Sequence, residues 1–188
     1  MRDGEPRAFL ASILLFTQPP TPMPIRLAKA AIVAASAFFL LLVVFNNLTD
    51  YGSNFGFVHH VLSMDTTFPG NKGMWRALTA EWTHHVFYGS IIAWEATSGV
   101  LIGLGAWRLY RARAQPLAAW QKAKHLATIG LTLSLLQWYI AFIAVGGEWF
   151  LMWQSKIWNG QDAAFRMFTV MGVSLIFLSL RDEELPAA

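Results

Sequence analysis

Four long apolar stretches constrain this chain more than anything else in it: roughly Leu27 to Leu48, Val86 to Trp107, Leu126 to Gly146 and Ala163 to Leu180. At ~1.5 Å of rise per residue, each can cross a hydrocarbon core of roughly 30 Å, the fourth only just. The expected fold is therefore all-α, a four-transmembrane-helix bundle. One membrane domain over residues 26–182 is expected, flanked by a proline-rich stretch at 1–25 and a short tail at 183–188. Composition agrees: 55% hydrophobic and 13% charged residues suit a small bundle in lipid better than a soluble domain.

Cysteine is absent, which excludes disulfides, thiolate zinc sites, cysteine-ligated iron–sulfur clusters and a cysteine nucleophile. The net charge of +3 invites a nucleic-acid partner, but its distribution argues for a membrane instead. Arg2, Arg7, Arg26, Lys29, Arg108, Arg111, Arg113, Lys122, Lys124 and Arg181 would all share one face of the bilayer. Lys72, Arg76, Lys156 and Arg166 would lie on the other, beside Asp50, Asp65, Glu81, Glu148 and Asp162. By the positive-inside rule both termini and the 108–125 loop are cytoplasmic, and the two long loops face outward.

Ahead of the first span, the apolar run Ala8 to Phe16 is too short to cross, and the prolines that follow it suggest a stiff extended linker. Met23, directly before Arg26 and Lys29, would also serve as a start of translation. In the outward loops, Trp75, Leu78 and Trp82 follow helical spacing, as do Trp149, Met152, Trp153 and Ile157. Two short amphipathic helices at the outer headgroups are expected there, with indoles at their preferred depth. The strings from Asp50 to Asn54 and from Trp158 to Gln161 have turn chemistry.

Within the bilayer the conspicuous residue is Glu95, about nine positions below the outer end of the second span, hence ~13 Å deep. An ionised carboxylate at that depth costs several kcal/mol, so it should be protonated, paired or turned inward. Glu95, Gly99 and Gly103 share one helical stripe, and the glycines permit close approach. The third span carries Gly130, Ser134, Gln137, Ala141, Ala144 and Glu148 on one face, with Gln137 at the depth of Glu95. The two stripes are expected to face each other, with Glu95 hydrogen-bonded to Gln137. Glu148 and His85 could continue a polar path outward from Glu95, and nothing titratable continues it inward.

Histidines form two outer doublets, His59-His60 and His84-His85. Adjacent helical residues diverge by ~100°, so a doublet would normally supply one metal ligand. One histidine from each doublet with Asp65, Glu81 or Glu148 could bind zinc or copper, and His59 and His85 could serve as haem ligands. Metal-site spacings are absent, and the expectation is no cofactor. No nucleophile motif, phosphate loop or triad signature is present, so no enzymatic activity is expected.

The strings NNLTDYGSNFGFVH from Asn46 to His59, VLSMDTTFPG from Val61 to Gly70, IIAWEA from Ile91 to Ala96 and GGEWFLMWQSKIWNGQDAAFR from Gly146 to Arg166 are long and unusual. On them the chain resembles the predicted small integral membrane proteins classed as DUF2165, from about Arg26 to Leu180. The resemblance implies a four-span protein of the bacterial inner membrane and carries over no catalytic residue.

Two functions fit these features. The first is a noncatalytic accessory or scaffolding subunit that binds another integral membrane protein, or a second copy, through small-residue stripes. The second is binding or transport of a small molecule, ion or proton by Glu95, Gln137, Glu148, His85 and His59 beneath a Trp-rich outer pocket containing Trp149 and Trp153. The residues expected to mediate helix packing are Gly99, Gly103, Gly130 and Ser134.

Overall fold

A computed structural model describes residues 22–185, and the apolar run and prolines before Pro22 lie outside the described residues. Four helical stretches are long and apolar enough to cross a membrane: Met23–Thr49, Glu81–Ala112, Leu117–Trp149 and Gln161–Ser179, of 27, 32, 33 and 19 residues. They are designated α1 (Met23–Thr49), α3 (Glu81–Ala112), a third span built from α4 (Leu117–Ala123), α5 (His125–Leu136) and a π-helical segment (Gln137–Trp149), and α6 (Gln161–Ser179). The outer helix α2 (Tyr51–Ser63) follows α1 after a single break at Asp50.

The second span lies at the centre and touches both the first and the third closely. Small residues make this possible on two separate faces. On one, Gly99 meets Leu40 and Leu41 and Gly103 meets Ala37, so the Glu95–Gly99–Gly103 stripe packs on α1 rather than on the third span. On the other, a Cβ on Gly105 would stand 2.4 Å from the backbone nitrogen of Ala127, and one on Gly130 would stand 2.8 Å from that of Ile102. Gly130 thus packs against Ser98 and Ile102 of the second span, and Gly105 against Ala127 of the third. A central helix with two neighbours needs two such faces, whereas the periodicity of Glu95, Gly99 and Gly103 marks only one.

Two apolar cores result. The larger gathers Val33, Leu40, Ile102, Leu109, Trp120, Leu131 and Met171 among the four spans. The smaller lies under the outer loops, where Val58, Val61, Leu62 and Met64 pack on Tyr88, Ile92, Phe150 and Met152. This burial explains why the stretch from Tyr51 onward is helical although Gly52, Ser53 and Asn54 suggest a turn. The apolar face formed by Phe55, Val58, Val61 and Leu62 overrides local preference. From Trp158 to Gly160 the chain does run irregularly, and α6 starts at Gln161.

Neither Trp-rich run forms an amphipathic helix. Met74–Arg76 and Met152–Gln154 are single 3-10 turns, Trp82 already belongs to α3, and Leu151 at φ 55° interrupts the second run. The loops are instead tied to each other. Arg76 lies over the rings of Trp75 and Trp149, at 5.4 and 5.3 Å, and donates to the Trp149 carbonyl at 3.3 Å. The Gln154 side chain accepts from the Phe68 amide at 3.1 Å, and Thr66 donates to Ser155 at 2.8 Å.

The opposite end is closed by buried charge. Arg26, fully buried, donates to the carbonyls of Arg113, Gln115 and Glu183, with its guanidinium 5.2 Å from the Trp120 ring centre. Lys29 and Lys124 both pair with Asp182, which is only 2% exposed; the Lys29 contact is 2.9 Å. Of the cations ascribed to one face by charge counting, Arg26, Lys29 and Lys124 collect at one end, where residues after α6 fold back against them, and Arg2 and Arg7 lie outside the described residues. Burial alone would raise the Asp182 pKa, but hydrogen bonds from Lys124 and Lys29 outweigh it and hold the carboxyl below its ordinary 3.8.

Two outcomes are expected from thermal unfolding in detergent. Gly105→Ala should cost about 1–3 kcal/mol or more, because the new methyl meets backbone. Gly103→Ala should stay within about 0.5 kcal/mol, since its methyl would find Ala37 at 3.7 Å, an ordinary contact. Asp182→Ala should cost about 3–5 kcal/mol by stranding two buried ammonium groups. Because the folded-state pKa of Asp182 is depressed, its contribution is present above pH 3.8 and is lost as pH falls below that value. The acid limb of a stability–pH curve should accordingly flatten in Asp182→Ala.

Candidate functional site

The outer half of the bundle carries the polar chemistry, and it begins where α1 ends. The last carbonyls of a helix have no partner within it and must find one elsewhere. The Asn47 carbonyl finds it in the Tyr88 hydroxyl of α3, at 3.3 Å. The same residue places its side chain between two others: the Asn47 amide donates to Glu95 Oε2 at 2.8 Å, and Asn47 Oδ1 accepts from the Asn54 amide at 2.9 Å. Glu95 is 1% exposed and Asn54 lies at the surface. A three-residue hydrogen-bonded string therefore runs from the buried carboxyl to the outer surface through α1 and α2.

Glu95 is thus buried and turned inward, as its depth demands, but its partner is Asn47 of the first span rather than Gln137. The reason is the packing register, since the Glu95 stripe lies against α1. Gln137 is buried on the other face of the second span, where its amide donates to the Ile91 carbonyl at 3.1 Å. Its Oε1 has no hydrogen-bond partner among the described residues. One turn earlier the Trp94 indole donates to the Leu133 carbonyl at 3.0 Å, so two side-chain to backbone bonds stitch the second and third spans. From Gln137 the third span widens to a π-helix, a form that is rare and tends to accompany functional sites.

Beside this widening lies an apolar cavity of about 250 Å³. Phe57, Val61 and Leu62 of α2, Ile91 and Trp94 of α3, and Ala141 of the π segment are among the residues that wall it. Phe87 and Ile140 at its rim are exposed on the outside of the bundle. The Ser90 hydroxyl, a rare polar group in the lining, is spent on the Phe87 carbonyl at 2.7 Å.

The remaining candidates are dispersed. Glu148 ends the π segment at the surface, where its carbonyl is 3.5 Å from the Arg76 guanidinium. Trp149 and Trp153 are exposed loop residues packed on Trp75 and Phe68, and neither lines the cavity. His85 stacks on Phe55, with ring centres 4.1 Å apart, and its Nδ1 meets the Tyr51 hydroxyl at 2.8 Å. His59 turns instead toward His84, Nδ1 to Nδ1, at 3.0 Å. Trp75 and Trp149 pair across the two loops, and Glu148 and Trp149 border an open hollow together with Phe87 and Phe150. The residues missing from the sequence-based set are Asn54 and Tyr88. Asn47 and Asn54 are seven apart, two helical turns, but the break at Asp50 hides that relation from periodicity.

A protein family described as "Predicted small integral membrane protein (DUF2165)" matches residues 25–181 of the chain. No curated protein and no solved structure matches it.

Removing Asn47 leaves Glu95 and Asn54 without their shared partner, so Asn47→Ala should cost about 1–3 kcal/mol. Glu95→Gln retains an acceptor for the Asn47 amide and should change stability by less than about 1 kcal/mol. Parallel thermal melts of the two variants check this ordering, and a larger loss in Glu95→Gln would show that the ionised carboxylate matters.

Proposed function

Since the chain belongs to the DUF2165 family of predicted small integral membrane proteins, we propose that it is a noncatalytic membrane protein that holds one apolar chain or ring in its outer half. The cavity beside the π segment carries this reading. Its volume of about 250 Å³ lies just under the ~300–1,000 Å³ of ordinary small-molecule pockets, which fits a single hydrocarbon chain or ring rather than a whole lipid. Its lining offers almost no polar group to anchor a charged or sugar-like ligand. Exposed Phe87 and Ile140 at the rim place the opening where lipid chains lie, so a ligand would arrive from the bilayer and not from water. The reading includes a bacterial inner membrane with both termini inside, an orientation supported by the cationic end that holds Arg26, Lys29 and Lys124.

The string from Glu95 to Asn54 plays a supporting part in this reading. It fixes α1 and α2 against α3 and so holds one wall of the cavity in position. A proton or ion path is less favoured, because the string ends at Glu95 and the buried charged side chains at the opposite end, Lys29, Lys124 and Asp182, are paired with one another.

The accessory-subunit reading has one observation of its own. A shallow groove between α1 and α3 is floored by Ala30, Ala31, Ala34, Gly103 and Ala106. Small residues of this kind let a second helix approach closely within lipid.

One experiment separates the two. Native mass spectrometry of the protein released from its own membrane should show a monomer or homo-oligomer carrying a retained apolar molecule. Ala141→Phe, which fills the cavity, should abolish that added mass while leaving the thermal midpoint unchanged or raised. A bare chain accompanied by a stoichiometric protein partner would overturn the ligand reading and favour the subunit.

A further inference from the structure

Four of the five histidines in the chain lie at the start of α3 and the end of α2, where neither the cavity nor the Glu95 string uses them. We propose that His59, His60 and Asp65 form an outward-facing site for a divalent transition-metal ion of the zinc or copper type.

The site arises from how α2 stops. His59 and His60 occupy its last turns, and Met64 then adopts a left-handed conformation at φ 56° that reverses the chain. The reversal returns Asp65 to the helix end, with Oδ2 2.7 Å from His60 Nδ1. Each of the three residues can offer one ligand atom, and these atoms lie within 4.8 Å of one another. Both members of one doublet thus take part, contrary to the divergence expected of neighbours within a helix. Glu81, Glu148 and His85 stand outside the group.

The surrounding hydrogen bonds set the protons as a metal requires. The Leu78 carbonyl can only accept, and it lies 2.9 Å from His84 Nε2, so that nitrogen carries the hydrogen. With Nε2 turned to that carbonyl, His84 Nδ1 stands 3.0 Å from His59 Nδ1, an arrangement in which His59 can donate from Nδ1 and offer its Nε2 lone pair to an ion. His60 Nδ1 and Asp65 Oδ2, 2.7 Å apart, are neighbouring donor atoms that can face a single ion once the proton between them is released. A ligating imidazole whose second nitrogen donates to a carboxylate or to a backbone-anchored acceptor is the usual arrangement around bound zinc. Two imidazoles and a carboxylate suit zinc or copper, whereas calcium and magnesium prefer all-oxygen shells. His60 is held flat against Trp158, with ring centres 4.8 Å apart and planes 14° from parallel, and both histidines remain half-buried and reachable from outside. The nearby cation Arg76 is engaged by Trp75 and Trp149 and does not need these groups.

The test is equilibrium dialysis of the full-length protein in detergent, stripped with chelator, against micromolar zinc chloride. One zinc per chain is expected. His59→Gln and His60→Gln should each weaken binding by at least tenfold, and His84→Gln by about 10- to 100-fold through loss of orientation. His85→Gln should leave uptake unchanged, which controls for nonspecific binding to outer histidines. Zinc should also alter tryptophan emission in a way that Trp158→Phe removes without removing uptake. Thermal melts without metal check that the variants fold. Absence of stoichiometric uptake, or equal uptake by wild type and folded His60→Gln, overturns the proposal. A His60→Gln variant that is merely less stable, with no zinc bound by wild type, would reduce the contact to a helix cap.

Discussion

Below the headgroups this chain has no water to fall back on, so a polar group there is best answered from within the protein, and most are, with the Gln137 Oε1 and the Ser98 and Ser134 hydroxyls among the exceptions. That requirement organises the bundle from end to end. At the cationic end, Lys29 and Lys124 converge on Asp182, and Arg26 is spent on three carbonyls. At mid-depth, Glu95 and Gln137 both lie on the second span's interfaces but serve different neighbours. At the outer end, the Asn47 carbonyl is answered by Tyr88 and its side chain by Glu95 and Asn54. Hydrogen bonds of this kind average only ~0.6 kcal/mol in lipid, so they select one packing of the helices more than they drive association. The driving share falls to close contact at Gly105 and Gly130 and to dispersion in the larger core.

How far the sequence discloses this depends on what each signal encodes. Length and apolarity disclose four spans, and the observed helices contain the expected stretches save Leu180, with the second and third spans extended by several residues. Periodicity discloses that Glu95, Gly99 and Gly103 share a face, but a face does not name its partner, and the stripe lies against α1. Gly105 is legible only once the second span is known to be central, because its companions Ser98 and Ile102 are not a small-residue pattern. The helix α2 was concealed by Gly52, Ser53 and Asn54, although Phe55, Val58, Val61 and Leu62 follow helical spacing. Asp182 was the quietest signal. It opens the acidic run Asp182, Glu183 and Glu184 after the last span, and only folding back of the tail shows that it serves Lys29 and Lys124.

The candidate sites divide along the same lines. The apolar cavity depends on the widening of the third span at Gln137, which no local sequence feature announces. The histidines are conspicuous as residue types, but their grouping depends on the chain reversal at Met64, a non-glycine residue in a conformation that propensity disfavours. The outer half is thus a place where backbone irregularity, in the π segment and at Met64 and Leu151, creates openings that regular helices would close.

The burial of Asp182 has a bearing on how the protein is made. Residues past the last span are the last of the described chain to leave the ribosome, and two cations from the first and third spans wait on one of them. Until then Lys29 and Lys124 must remain hydrated or repel each other, and the inner ends of the spans stay apart. Synthesis therefore sets an order of closure, in which the end bearing α2 can pack early and the cationic seam is drawn shut only after the residues that follow α6 have been made.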